Sequence, residues 1–308
     1  MSAPGSAAWW DAADLLSKPT QPIDWLVDGI LPTGTVGDVF GPPGEGKSTI
    51  LLHLAMTIAT GEGRWFERRC ASGRVAILGG EKSSEGAAAR DLHRVWHRRA
   101  VGHGQLAISP QDEPLWRWDR LSQCWMLTDA GQTETAALAV YRPALILLDT
   151  TMAVAVGGDQ IDNVAQYSLG KTIQRWARDL GGATVLGVSH TNQASVKESA
   201  AWRLNYLSRA GGNGLPGALR WLAGVTRIRP DDDVAKLLGL EGESAKKKLV
   251  AFAVSKHNEI PTPHWHPNAP AIFEILQDGS LLLVRDGREV EVAGNVHPIK
   301  KGGKRDAL

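Results

Sequence analysis

The sequence predicts an α/β domain with a mainly parallel central sheet, helices on its flanks and a β-hairpin at its C-terminal end. Three observations carry that reading. Apolar runs without polar alternation recur along the chain: VGDVF (36–40), RVAILGG (74–80), ALILLD (144–149) and ATVLGVSH (183–190). Strands covered on both faces read in this way. Helical stretches separate these runs. The last apolar pair, IFEILQDGSLLLV (272–284), turns around Asp278-Gly279, a hairpin signal.

Taken in order, residues 1–21 are small and polar and read as a flexible segment before a domain spanning 22–285. STILLHLAMTIATG (48–61) reads as a helix ending at Gly61, and SSEGAAARDLHRVWHRRA (83–100) as a helix with a basic outer face. LAIS (106–109) and WML (125–127) are strand candidates, and TETAALAVY (133–141) a helix. VAQYSLGKTIQRWARDLG (164–181) has an amphipathic helical pattern. Residues 191–217 read as a polar, glycine-rich loop. LRWLAGVTRIR (219–229) and KKLVAFAVSK (247–256) read as strands around an acidic, partly helical excursion. The basic tail, 286–308, is expected to be disordered.

Composition narrows the function classes. A 308-residue chain that is 43% hydrophobic can bury a sizeable core without staples. Two isolated cysteines, Cys70 and Cys124, argue against a disulfide framework or zinc cluster and point to a reducing, cytoplasmic compartment. The N-terminal stretch lacks the pattern of a signal peptide, and the most apolar region, 136–156, is broken by Arg142, Pro143 and Asp149, so no membrane span is expected. A net charge of +1 excludes a strongly basic coat for duplex DNA. Any nucleic-acid contact must come from local basic loops or from combined subunits. The twelve tryptophans read as packing residues and not as base-stacking platforms.

GPPGEGKST (Gly41, Pro42, Pro43, Gly44, Glu45, Gly46, Lys47, Ser48, Thr49) matches the phosphate-loop pattern at every fixed position and lies between a predicted strand and a predicted helix. Its glycines let backbone N–H groups turn toward phosphates at a helix N-terminus. Lys47 is expected to reach the β and γ phosphates of ATP, and Ser48 to offer its hydroxyl to Mg²⁺. Asp149, at the end of ALILLD, is the expected second metal group, acting through water. Thr150 follows it, so the water-activating carboxylate must come from elsewhere. Glu81, directly after RVAILGG, is the candidate general base, with a plain helix-start carboxylate as the alternative. His190 ends another apolar strand, where a polar side chain can sense the γ-phosphate.

With these motifs in this order, the chain resembles hexameric replicative helicases of the plasmid RepA type, a RecA-like branch of P-loop ATPases. The likeness covers about residues 22–285 and rests on WLVDGILPTGTVGDVFGPPGEGKST, RVAILGGEKSSEGAAARDLHRV, LILLDT, VLGVSHTN, SRAGGNGLPGALRW and LVAFAVSKHNEIP. The resemblance implies a RecA-like core in a homohexameric ring, with ATP hydrolysis driving translocation on single-stranded DNA. A replication initiator or primase would be a further partner. It also implies that Arg220 and Lys256 reach the ATP of an adjacent subunit, with Arg227 and Arg229 as alternatives to Arg220. Lys197, Arg203 and Arg209, in the loop after His190, would line the ring's channel. The stretch MAVAVGGDQIDN (152–163) is the other channel candidate and carries no basic residue. TNQAS lacks a lysine often found nearby, and Asn258 stands where larger helicases tend to have a second arginine. An accessory RecA-like ATPase that remodels DNA-bound complexes without unwinding is the rival reading.

Overall fold

All four apolar runs become inner strands of one sheet. The computed structural model describes residues 11–79, 85–96, 101–109, 113–159, 161–211, 213–232, 235–236, 239, 247–258 and 265–287. The elements run α1 (Ala12–Ser17), β1 (Trp25–Val27), β2 (Leu31–Pro32), β3 (Val36–Gly41), α2 (Lys47–Thr60), β4 (Arg64–Trp65), β5 (Arg68–Arg69) and β6 (Val75–Leu78). They continue with α3 (Glu85–Trp96), β7 (Leu106–Ser109), β8 (Trp116–Asp119), β9 (Cys124–Leu127), α4 (Asp129–Tyr141), β10 (Leu145–Leu148), β11 (Ala155–Val156) and α5 (Asn163–Asp179). The last are β12 (Thr184–His190), α6 (Ala200–Arg203), α7 (Gly214–Ala218), β13 (Trp221–Arg227), β14 (Leu249–His257), β15 (Ala271–Ile275) and β16 (Leu281–Arg285).

The main sheet has nine strands in the order β16-β15-β14-β13-β3-β12-β10-β6-β7. The pairings from β13 through β7 are parallel, and those from β13 out to β16 are antiparallel. The strand that leads into the phosphate loop, β3, is thus central. Its successive residues feed opposite faces. Val39 joins an apolar cluster with α2, and Phe40 joins a second cluster with α4 and α5. Burial on both faces is why these strands show no polar alternation. Helix α2 is apolar almost all round and correspondingly buried, and it stops where Gly61 adopts a left-handed conformation.

The hairpin forms as expected, with β15 and β16 antiparallel and Asp278 accepting from the Ser280 backbone N–H in the turn. Several details differ from the sequence reading. Residues 191–217 are not a plain loop but contain α6, α7 and two 3-10 turns, Ser195–Lys197 and Tyr206–Ser208. Strands β11, β8 and β9 pair into a separate small sheet. Segments of two to five residues are too short for a periodic signal, and of these only β9, expected at 125–127, was read from the sequence. Part of the N-terminal segment, α1, is helical and capped by Asp11, though none of its residues is buried. Asp286, assigned to the tail, is held by Arg68 at 2.8 Å and by the Trp265 indole at 2.7 Å, whereas 288–308 lie outside the described residues.

The described tryptophans mostly pack. Trp65 and Trp265 lie 5.6 Å apart in a cluster with Phe66, Phe252 and Phe273, and Trp116 meets Trp176 edge-on at 5.2 Å. Trp202 is the most exposed of the described tryptophans, at 41%.

Candidate nucleotide site

Parallel strands carry their functional residues at their C-terminal ends, and Lys47, Ser48, Asp149 and His190 gather there. Gly46 takes a left-handed φ of 100° as the residue preceding α2, and no side chain caps that helix start. The first backbone N–H groups of α2 are therefore not engaged by a capping side chain, as an anion site requires. Lys47 is buried and donates to the carbonyls of Gly41 at 2.8 Å and Pro42 at 2.9 Å. Its Nζ also lies 3.4 Å from His190 Nδ1. Register explains the meeting: β12 runs parallel to β3 with His190 opposite Gly41.

On the next strand, Asp149 follows β10 directly. Its Oδ2 accepts from Ser48 Oγ at 3.1 Å. A hydroxyl and a carboxylate at that separation suit a hard divalent cation that takes its remaining ligands from phosphate and water. Close strand approach fixes the corner. A Cβ on Gly79, at the end of β6, would come 1.9 Å from the Asp149 carbonyl oxygen, so only glycine fits there. Glu81, the candidate base, lies outside the described residues.

Beneath the site is a polar network that the sequence reading missed. Asp38, fully buried in β3, accepts from Ser189 Oγ at 2.9 Å, Thr151 Oγ1 at 3.1 Å and Arg209 Nε at 2.8 Å. Arg209 also donates to Ser189 Oγ at 2.8 Å and to the Ala210 carbonyl at 3.0 Å. One carboxylate thus joins the strand of the phosphate loop, the residue before His190 and the segment after Asp149. A lone aspartate in an apolar strand was the available signal, because a buried carboxylate must find charged or hydrogen-bonding partners.

Two of the cations expected at DNA are buried in ion pairs inside the fold, Arg209 in this network and Arg203 apart from it. Arg209 is 5% exposed and bound to Asp38, and Arg203 is fully buried and bound to Asp232 at 2.8 Å. Both guanidinium groups are occupied by carboxylates inside the fold. Lys197, the third of these cations, is exposed.

The basic residues expected to act between subunits fall into two groups. Arg220 immediately precedes β13, whose Trp221 pairs with Gly37, so it lies at the far end of β3 from the loop. That is about 15 Å along the strands at roughly 3.3 Å per residue. Lys256 pairs with Leu222 and donates to the Pro216 carbonyl at 2.5 Å. Burial, and then the positive charge of Arg220, lower its ammonium below the ordinary lysine range. Arg220 is exposed, but both residues are remote from this chain's own phosphate loop. Arg227, in contrast, lies at the loop's end of the sheet, where its backbone N–H donates to Glu45 at 2.8 Å. Arg229 follows two residues later, with its N–H bound to Asp232 at 2.6 Å. Among the described residues no helix is long and apolar enough to cross a membrane.

Known proteins agree with this architecture. The sequence profile of the AAA domain family (AAA_25) matches residues 3–196. The DNA repair and recombination protein RadB of Methanobrevibacter smithii is 57% identical over 37 residues, covering 12% of this chain and 16% of that protein. The profile match takes in the phosphate loop, Asp149 and His190. The chain belongs to the AAA domain family, and its sheet, with the phosphate loop on the central strand, is the core of a RecA-like P-loop ATPase.

Proposed function

We propose that the chain binds ATP with Mg²⁺ and hydrolyses it to drive work on DNA, in the finer form of a ring-forming motor that translocates on single strands and unwinds duplex. The convergence of Lys47, Ser48, Asp149 and His190 on one loop carries the first half of this reading. When a nucleotide binds, Lys47 exchanges its two carbonyl partners for the β and γ phosphates, and the N–H groups at the start of α2 hold the same anion. Ser48 and Asp149 would hold Mg²⁺, which when bound would supply positive charge beside the phosphate oxygens. His190, within reach of the Lys47 ammonium, is set to register whether the γ-phosphate is present. Glu81 orients the attacking water and takes its proton. Glu81→Gln is therefore expected to retain ATP binding and to lose turnover by about a hundredfold or more, measured as phosphate release beside nucleotide titration; unchanged turnover would move the base elsewhere.

The second half rests on the resemblance to RepA-type helicases and on the short likeness to a DNA repair and recombination protein. Arg220, exposed and remote from its own loop, is suited to complete a neighbour's site, where a guanidinium stabilises the transferring phosphoryl group. The partners in this reading are single-stranded DNA, further copies of the chain in a homohexamer and a replication initiator or primase, in the cytoplasm. The burial of Arg203 and Arg209 favours a second reading, an accessory ATPase that remodels DNA-bound complexes without unwinding, because it leaves Lys197 alone of the three proposed channel cations. ATP turnover with and without single-stranded DNA, followed by strand displacement on a tailed duplex, separates the two. The motor reading expects DNA to stimulate turnover several-fold and the duplex to open. DNA-independent turnover without displacement would leave the accessory reading.

A further inference from the structure

Glu45, in the phosphate loop, turns its carboxylate to the end of β13. Its Oε2 accepts from Thr226 Oγ1 at 2.8 Å and from the Arg227 backbone N–H at 2.8 Å. Thr226 is fully buried in β13, and its hydroxyl in turn accepts from Arg203 Nε at 2.7 Å. Arginine can only donate and an ionised carboxylate can only accept, so the hydroxyl proton has one direction available. The chain runs from guanidinium to hydroxyl to carboxylate, and charge at both ends strengthens each bond.

The far end of this chain is anchored. Arg203 donates to Asp232 Oδ2 at 2.8 Å, to the Arg227 carbonyl at 3.0 Å and to the Glu198 carbonyl. Asp232 also accepts from the backbone N–H groups of Ala200 at 3.1 Å and Arg229 at 2.6 Å. The segment after His190 is thereby linked to Glu45 through the Thr226 hydroxyl, beside the Arg227 backbone. Resting on the nucleotide-binding half of the proposed function, we infer that Arg203 and Thr226 are positioning residues for the phosphate loop. They hold Glu45 so that the loop's N–H groups face the phosphates, and they transmit nucleotide occupancy to residues 192–211. Such coupling is reciprocal: whatever binds that segment shifts nucleotide affinity by the same factor.

Thr226→Val keeps the shape and removes the hydroxyl. The Arg227 N–H remains as a partner for Glu45, so the loop is expected to loosen and not collapse. ADP affinity, read with a fluorescent analogue, should fall about tenfold, and Thr226→Ser should restore it. In the wild type, ADP should slow hydrogen exchange across 192–211; in Thr226→Val at saturating ADP, that protection should be lost. Glu45→Ala reads the link from its partly exposed end if the buried variant folds poorly, and should give a loss of affinity and protection at least as large, since the Arg227 N–H loses its partner too. The double variant should bind no worse than Glu45→Ala alone, because Glu45→Ala already removes the bond that Thr226→Val removes. Wild-type affinity with intact ADP-dependent protection in Thr226→Val, or additive losses in the double variant, would overturn the coupling. Failure of the wild type to bind ADP would instead overturn the nucleotide site itself.

Discussion

Replacing Lys47 with alanine is expected to lower ATP turnover by about a hundredfold or more and to weaken nucleotide binding, with the fold retained. The ammonium is buried at the mouth of the loop, held by the carbonyls of Gly41 and Pro42 and directed at His190. Charge placed there in advance acts where negative charge gathers on the transferring group, in a setting poorer in water than the surface. Alanine keeps α2 intact, because Lys47 is its first residue and alanine is a good helix former. Phosphate release measured beside circular dichroism separates loss of chemistry from loss of fold. Turnover unchanged from the wild type would place the nucleotide somewhere other than this loop.

A second large effect is expected on stability. Arg209→Ala leaves the Asp38 carboxylate deep in β3 with two hydroxyl donors and no compensating charge. Breaking one half of a buried pair costs about 3–5 kcal/mol, which lowers Tm by on the order of 10 °C. Calorimetry or thermal circular dichroism reads this directly. Removing both charges, as Arg209→Met with Asp38→Asn, should recover much of the loss, because an unpaired buried charge is worse than none. A double variant as unstable as the single one would show that Arg209 acts by packing and not by its charge. Both arginines of the segment after His190 are thus structural in the first place, which limits what that segment can offer to a nucleic acid.

The parts of this fold that were legible in the sequence are those with long, uniform signals. The apolar runs at 36–40, 74–80, 144–149 and 183–190 became neighbours in one sheet because apolar strands of that kind are stable only with both faces covered. The phosphate loop was legible because its chemistry demands particular residues at fixed spacing, and Ser48 and Asp149 do meet at 3.1 Å. Side-chain destinations were less legible. Arg203 and Arg209 sit among Ser, Asn and Gly, a composition that reads as solvated, yet their partners Asp232 and Asp38 are distant along the chain. Pairing of opposite charges across such separations leaves no local pattern. Strands β8 and β11 were missed for a related reason: their partners, and not their own few residues, define them.

The position of β3 has a consequence for the birth of the protein. Its two partners in the sheet are Thr184–His190 and Trp221–Arg227, both made long after the phosphate loop has been synthesised. At about 5–20 residues per second, the nascent chain carries an unpaired apolar strand for on the order of ten seconds before either neighbour emerges. Contacts so far apart in sequence also slow folding, since the intervening chain must be closed into a loop before they form. The catalytic corner therefore assembles late, and until it does the chain depends on its surroundings to keep that strand from pairing elsewhere.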